Sequence, residues 1–413
     1  MDKMDKTDKT DKIIKLAVIG TGGRGTFHAC MLSEMKDAEV TAVCDVYDDR
    51  VKHAADEVEK RCGKRPNEYA DYNALLKSEK LDGVVIASSW QTHIPIAVAA
   101  MKSGVPAGIE VGGASTVEEC AELVKTYEET GVFCMILQNC NYGREEMALL
   151  NMTKKGVFGE IIHLQCGYQH DLRGISRSRE NRHYRLVHYI QRNGELYPNH
   201  GLGPMMKLIN INRGNRMLSL VSVASKSRGL KNWAKDNLPP EHHLHGETVN
   251  LGDVVNTIIK CSGGETILLT HDTSLPRPYS RGGRVQGTKG LWYEDNKSIY
   301  IEGESPSHEW ENFYEYIKKN DYEHPVWKDY FELGVKEQGH GGMDYLVLRA
   351  FIEDGILKSR PPIDTYESAL LSSITPLSEK SIALGSQPVE IPDFTKGKWL
   401  IPEPVIETKY GLN

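Results

Sequence analysis

Three glycines, Gly20, Gly22 and Gly25, carry the clearest chemical signal in this chain. They follow the apolar run Leu16-Ala17-Val18-Ile19 and enclose Thr21, Gly23 and Arg24. In a G-x-G-x-x-G turn between a strand and a helix, the first glycine permits a tight turn. The second lets backbone approach a pyrophosphate, and the third lets the helix pack on the strand. The helix that follows would offer unpaired N–H groups and a partial positive charge to phosphates. A second apolar run, Val40 to Cys44, ends in Asp45, about twenty residues past the last glycine. A carboxylate there suits the ribose hydroxyls of NAD and repels the additional phosphate of NADP. Arg24 and Arg50 are the nearby cations that would favour the latter. The chemistry implied is that of a bound dinucleotide, with NAD as the expected cofactor.

Alternating strand and helix signals must position this turn. Helical patterns run from Thr26 to Met35, Asp48 to Cys62, Tyr72 to Ser78, Ile94 to Ser103 and Val117 to Glu129. Between them lie apolar runs at Leu81 to Ala87, Val105 to Val111 and Val132 to Gln138. Such alternation gives parallel strands joined by crossover helices, with ligands beyond the carboxyl ends of the strands. That rule selects Trp90, Gln91, Thr92 and His93, then Glu110 and Val111, then Asn141 and Tyr142.

From about Gly143 the texture changes to a helix, Glu145 to Lys155, and a strand, Ile161 to Tyr168. The stretch from Gln169 to Asn199, rich in Arg, His and Tyr, predicts a polar, substrate-facing loop region. Six later strand signals follow, and helices are expected near Gly342 to Asp354 and Thr365 to Gly385. The fold class expected is α/β: an N-terminal doubly wound parallel sheet of Rossmann type, then an α+β domain on an open, largely antiparallel sheet. The expected boundaries are a disordered tail over 1–12, a dinucleotide-binding domain over 13–140 and a substrate domain over 141–413.

Composition narrows the partners. A net charge of −7 over 413 residues offers no basic patch for nucleic acid. No apolar run reaches the length of a bilayer span. The Asp-Lys repeats before the first strand lack the basic-then-apolar order of a leader, so a cytoplasmic protein is expected. Eight scattered cysteines without a C-x-x-C pair fit reduced thiols. His242-His243-Leu244-His245 lacks a cysteine or acid at ligand spacing, so no metal site is expected. The broad second sheet could pair with another copy to make a homodimer.

The glycine turn, Asp45, His93, the strand ending at Glu110 and the closing Tyr366 to Gly385 with Pro388-Val389-Glu390-Ile391 resemble the Gfo/Idh/MocA oxidoreductases. Most of that family carry Glu-Lys-Pro where this chain has Glu110-Val111-Gly112, and their lysine moves the substrate proton during hydride transfer. Val111 removes that group, which argues against an ordinary sugar dehydrogenase, the alternative reading.

A narrower resemblance accounts for the departure. His183-Tyr184-Arg185, the long segment from Arg192 through Tyr197-Pro198-Asn199-His200 to Pro204, and Ile211 to Arg216 look like glycoside hydrolase family 109. So do Trp90-Gln91-Thr92-His93, Glu110-Val111 and Asn141-Tyr142-Gly143; Asn199 replaces the threonine usual in that branch. The resemblance implies an α-N-acetylgalactosaminidase that holds NAD without consuming it. It implies cofactor contacts from Gly20, Gly22, Gly23, Arg24, Gly25, Asp45, Trp90, Gln91, Thr92, His93, Glu110, Val111 and Asn141. Substrate contacts would come from Tyr142, Arg185, Tyr197, Pro198, Asn199, His200 and Tyr279. Oxidation at sugar C3 acidifies the C2 proton, whose loss expels the C1 substituent. Water addition and re-reduction complete hydrolysis. That route needs proton carriers rather than a carboxylate pair. His200 is expected at the C3 hydroxyl, Tyr142 or Tyr279 at the C2 proton, and Tyr197 at the leaving group, with Arg185 as an anchor. Glu110 is open to a cofactor, substrate or capping role, and His340 to a peripheral one.

Overall fold

The computed structural model describes residues 12–177, 182–333 and 339–413; the expected tail before residue 12 lies outside them. The described chain forms two compact units, one of residues up to 110 with 130–134, the other of 111–129 with 135–413. None of the described helices is long and apolar enough to cross a membrane.

The first sheet contains β1 (Ile14–Ile19), β2 (Ala38–Cys44), β3 (Asn67–Tyr69), β4 (Gly83–Ile86), β5 (Ala107–Ile109) and β6 (Cys134–Ile136). Its order is β3-β2-β1-β4-β5-β6, and the pairs among the first five strands are parallel. Strands β1 and β4 are buried almost throughout, as apolar strands covered on both faces must be. The crossover helices include α1 (Gly23–Ser33), α2 (Asp48–Cys62), α3 (Tyr72–Ser78), α4 (Trp90–Lys102) and α5 (Val117–Thr130). The order reverses between β1 and β4, the switch point at which ligands of such sheets bind. Helix α4 starts at Trp90, four residues before the expected Ile94. Ser89 is its cap, and Pro95 lies inside the helix, where it forgoes the N–H bond to the Gln91 carbonyl; burial of Ile94, Ile96 and Ala97 around it outweighs that loss.

The second sheet has nine strands: β7 (Ile161–Gln169), β8 (Met217–Ala224), β9 (Val254–Cys261), β10 (Thr266–Asp272), β11 (Arg284–Gly287), β12 (Gly290–Tyr293), β13 (Ser298–Ile301), β14 (Glu311–Asn312) and β15 (Val389–Glu390). Its order is β14-β13-β12-β11-β7-β10-β9-β8-β15. Every pair is antiparallel except β7 with β10. That parallel pair sets Tyr168 opposite His271 and brings both carboxyl ends to one edge. On one face lies the helix Thr365–Ala383, whose buried serines allow close approach: Ser381 Oγ accepts from Ser222 N of β8 at 2.9 Å.

Three further helices are α6 (Arg144–Lys154), α7 (Arg185–Gln191) and α8 (Asn199–Leu208). The expected loop region from Gln169 to Asn199 therefore contains a helix, α7, whose Leu186 and Tyr189 are buried. Helix α8 forms despite Gly201, Gly203 and Pro204, because nine of its ten residues are buried and packing outweighs propensity. No disulfide joins any of the eight cysteines, and all but Cys62 are buried.

Candidate active site

In the first unit, the glycine turn has the shape its spacing predicts. Gly20 has φ +88°, and a β-carbon there would lie 2.5 Å from Ser88 Cα. A β-carbon on Gly25 would run into the carbonyl of Gly20. These two glycines are needed for packing within the protein. At Gly22 a β-carbon would meet only Arg50 Nη1, at 3.7 Å, and at Gly23 nothing within 4 Å. Gly22 caps α1 without a side-chain hydrogen bond, and the buried Thr21 Oγ1 has no partner. Open space, uncapped amides and an orphan hydroxyl fit the phosphates of a dinucleotide. Asp45 is 8 % exposed. Its Oδ2 accepts from Thr21 N at 2.8 Å and its Oδ1 from Tyr47 N at 3.1 Å, which fixes an acid beside the turn.

Beyond β4, Trp90 is buried at the start of α4 and Gln91 is exposed. Thr92 Oγ1 donates to Ser88 Oγ at 2.7 Å, and His93 Nε2 lies 3.0 Å from Ser88 O. Burial lowers the His93 pKa below its ordinary value, against the pull of Glu110. Glu110 is itself buried, which opposes ionisation. Arg24 Nε at 2.8 Å and His28 Nε2 at 2.6 Å nevertheless hold its carboxyl far below the usual range. Arg24, expected among the cofactor contacts, thus spends its Nε on Glu110 and lies over the Phe27 ring at 5.5 Å.

In the second unit, His200 on α8 and Tyr197, two residues before that helix, meet the carboxyl end of β7 at Tyr168. The approach is glycine against glycine: a β-carbon on Gly201 would lie 2.9 Å from Gly167 Cα. Rings gather there around Tyr168. Its centroid is 4.4 Å from Tyr197, 5.5 Å from His200 and 6.1 Å from Tyr279. Tyr168 OH and His170 Nδ1 are 3.0 Å apart, and His170 meets Tyr279 edge-on at 5.2 Å. Arg185 at the start of α7 stands over the Tyr197 ring at 5.0 Å. Burial opposes its charge, yet the surrounding tyrosines keep it a firm cation. Tyr279 is 47 % exposed and comes from the loop between β10 and β11. Two residues on, Arg281 is buried against Glu146 at 2.5 Å and Glu294 at 3.7 Å, which anchors that loop.

His200 Nδ1 lies 2.8 Å from Gln138 Oε1. Gln138 Nε2 donates to the carbonyl of Asn199, whose Oδ1 accepts from Gly112 N at 3.1 Å. Pro198 and Asn199 are buried beneath the cluster, and Val111 is 5 % exposed. Asn141 is buried with both carboxamide atoms unpartnered, which leaves it able to receive a ligand.

Tyr142 differs from expectation. It is fully buried, its hydroxyl donates to Tyr410 O at 3.0 Å, and its ring meets Tyr410 rather than the cluster. Burial raises its pKa well above 10, as it also raises that of Tyr279; what sets Tyr142 apart is that its hydroxyl is spent on Tyr410 O and its ring faces away from the cluster. His340 pairs with the buried Asp344 at 2.7 Å, which in turn accepts from Asn139, so it serves a structural network. Two members of the site were missing from the expected set, Tyr168 and Gln138. Each lies at a strand's carboxyl end, a position that marks ligand sites, but neither belongs to a motif read from the sequence. Behind the cluster, Glu195 is fully buried; burial pushes its carboxyl up to about 8 while Tyr197 N, donating to Oε1 at 3.1 Å, resists.

Comparison with known proteins adds two family matches. Residues 14–138 match the oxidoreductase family with the NAD-binding Rossmann fold, and residues 142–401 match the C-terminal domain of glycosyl hydrolase 109. An α-N-acetylgalactosaminidase of Tannerella forsythia is 43 % identical, over 94 % of this chain and 87 % of that protein. A glycosyl hydrolase family 109 protein of Stenotrophomonas maltophilia is also 43 % identical, over 94 % and 90 %. Among solved structures, levoglucosan dehydrogenase with NADH and L-sorbose superposes with a TM-score of 0.70 at 17 % identity, covering 92 % of this chain and 99 % of that one. Myo-inositol 2-dehydrogenase of Lactobacillus plantarum gives 0.65 at 13 %, over 92 % and 100 %. Those two likenesses establish the fold.

Proposed function

We propose an activity from kinship and geometry together: this chain belongs to glycosyl hydrolase family 109, and we infer that it removes terminal α-N-acetylgalactosamine, or a related hexoside, by transient oxidation at C3. The observation that carries this reading is the gathering of His200, Tyr168, Tyr197 and Tyr279 around one another with Arg185 beside them. Such groups carry protons and bind hydroxyls; they are not the pair of carboxyls that direct displacement requires.

Gly20, Gly22, Gly23, Gly25, Asp45 and the first turn of α4 would hold NAD. When bound, NAD supplies a hydride acceptor for sugar C3 and the same hydride for the return, so no net oxidation remains. His200 takes the C3 hydroxyl proton and gives it back. Tyr279 carries the C2 proton, whose removal lets the C1 substituent leave. Tyr197 steadies the departing oxygen, and Arg185 anchors the sugar while holding the tyrosine ring. Val111, apolar where relatives in the wider oxidoreductase family use lysine, leaves these proton transfers to His200 and the tyrosines.

Two finer readings belong here. The sheet exposes Val223 of β8 and Ile258 of β9, at 54 % and 55 %, and a second copy seated on that apolar surface would give a homodimer. Seven buried thiols, none in a disulfide, suit a reducing compartment such as the cytoplasm.

Hydrolysis of p-nitrophenyl α-N-acetylgalactosaminide in heavy water tests the activity. Nitrophenol release with deuterium at C2 and no net NADH is the expected result. NADH accumulating from free sugars, without glycoside cleavage, would replace the reading with a sugar dehydrogenase.

A further inference from the structure

We propose that Gln138 is a positioning residue that fixes the tautomer of His200 and so makes its Nε2 the basic nitrogen. The inference rests on the role given to His200 above, but its structural half stands alone. Gln138 lies just after β6, is fully buried, and is 62 residues from His200 in sequence. Its amide could in principle face either way, because the two ends are alike in shape. The neighbours decide. The Asn199 carbonyl can only accept, so the Gln138 nitrogen must face it, and Oε1 is then directed at His200 Nδ1. Reversing the amide would set two acceptors against each other at Asn199.

Oε1 likewise can only accept, so Nδ1 carries the ring proton. A neutral imidazole has one such proton, and its lone pair is therefore on Nε2. The arrangement is braced at both ends. Gly112 N donates to Asn199 Oδ1 at 3.1 Å, which pins the residue that Gln138 grips. On the far side, Gly203 of α8 comes so close that a β-carbon there would lie 2.8 Å from Gln138 Cγ and 2.9 Å from its Nε2. Helix α8 thus carries both the histidine and the glycine that holds the histidine's partner in place. A base that accepts the C3 hydroxyl proton needs its lone pair formed before substrate arrives, and Gln138 supplies that condition without touching the sugar.

Ring-nitrogen NMR of the full chain, labelled with 15N-histidine at a pH where imidazole is neutral, tests the tautomer directly. The His200 signals are identified by their loss in His200→Asn. The expected result is a protonated Nδ1 and an unprotonated Nε2. In Gln138→Leu the proton should move wholly or partly to Nε2, and kcat should fall about a hundredfold, the lower end of what a positioned base contributes, with little change in KM. Gln138→Glu keeps an acceptor at Nδ1 but sets its second oxygen against the Asn199 carbonyl, so it should restore the Nδ1 proton while recovering only a small part of the rate. If Gln138→Leu does not fold, Gln138→Asn withdraws the acceptor by one methylene and should show the same two changes. A wild-type His200 protonated at Nε2, or a variant whose tautomer and kcat both stay put, would overturn the proposal. A correct tautomer in a protein that cleaves no hexoside would instead overturn the activity and leave the positioning intact.

Discussion

Gly201 of α8 rests directly on Gly167 of β7, with no room for a β-carbon between helix and strand. The contact sets the height at which Tyr197 and His200 meet Tyr168. Gly201→Ala should push the helix away from the strand. The expected cost is about 1–3 kcal/mol, as for other overpacked contacts. Thermal melting should show the loss, and turnover should fall further than stability alone explains, because the ring cluster loses its spacing.

His200→Ala leaves the buried Gln138 Oε1 without its partner and should cost about 1–3 kcal/mol of stability while the chain still folds. Turnover should drop about 10²- to 10⁴-fold, the usual contribution of a positioned acid or base. Near-normal hydrolysis of the nitrophenyl glycoside would remove His200 from the mechanism.

Tyr142 and Tyr279 should separate cleanly. Tyr142→Phe deletes one buried hydrogen bond to Tyr410 and should cost about 1 kcal/mol of stability with turnover retained. Tyr279→Phe should do the reverse, melting like the parent while losing turnover and deuterium exchange at C2. Equal loss of activity in both would return Tyr142 to the mechanism.

Glu195 makes stability depend on pH. Its carboxyl is pushed up to about 8 in the folded chain from an ordinary 4.5. The folded state therefore holds a proton that the unfolded chain releases across that interval. The stability contributed by this protonated carboxyl is full below 4.5, falls as pH rises, and is lost once pH passes about 8. Glu195→Gln keeps an acceptor for Tyr197 N and removes the titration. Its melting temperature relative to the parent should climb between those limits and level off above them. A constant difference would mean that Glu195 ionises normally.

Asp45 should govern cofactor choice. Asp45→Ala removes an acid held by Thr21 N and Tyr47 N. Titration calorimetry should show NAD binding weakened about tenfold or more, the order expected for losing hydrogen bonds to a charged group. NADP binding should weaken less or improve. Unchanged NAD affinity would place the ribose elsewhere.

The features legible in the sequence are those written locally. The glycine turn, Asp45 and the run of parallel strands each announce themselves within a few residues, through steric demand at Gly20 and Gly25 and through apolar runs bounded by polar ends. Seven of the nine strands of the second sheet were readable from apolar or alternating runs, as in β9, and the two-residue β14 and β15 were too short to show a pattern. Helix α8 was not, because Gly201, Gly203 and Pro204 all vote against a helix and only burial against β7 reverses them. The first turn of α4 was hidden by Pro95, which reads as a breaker, yet burial of its neighbours Ile94 and Ile96 carries the helix through it. Tyr168 and Gln138 escaped notice because their value lies in partners far along the chain. Tyr142 misled for the same reason: its neighbour in the motif is Asn141, but its neighbour in space is Tyr410, 268 residues away.

The cysteines have a practical consequence. Seven of the eight are buried, and Cys62 alone stands exposed, at the end of α2. A maleimide dye should therefore attach once per native chain, at the C-terminal end of α2. A fluorophore on Cys62 would label the native sequence without any substitution, and its anisotropy would read self-association.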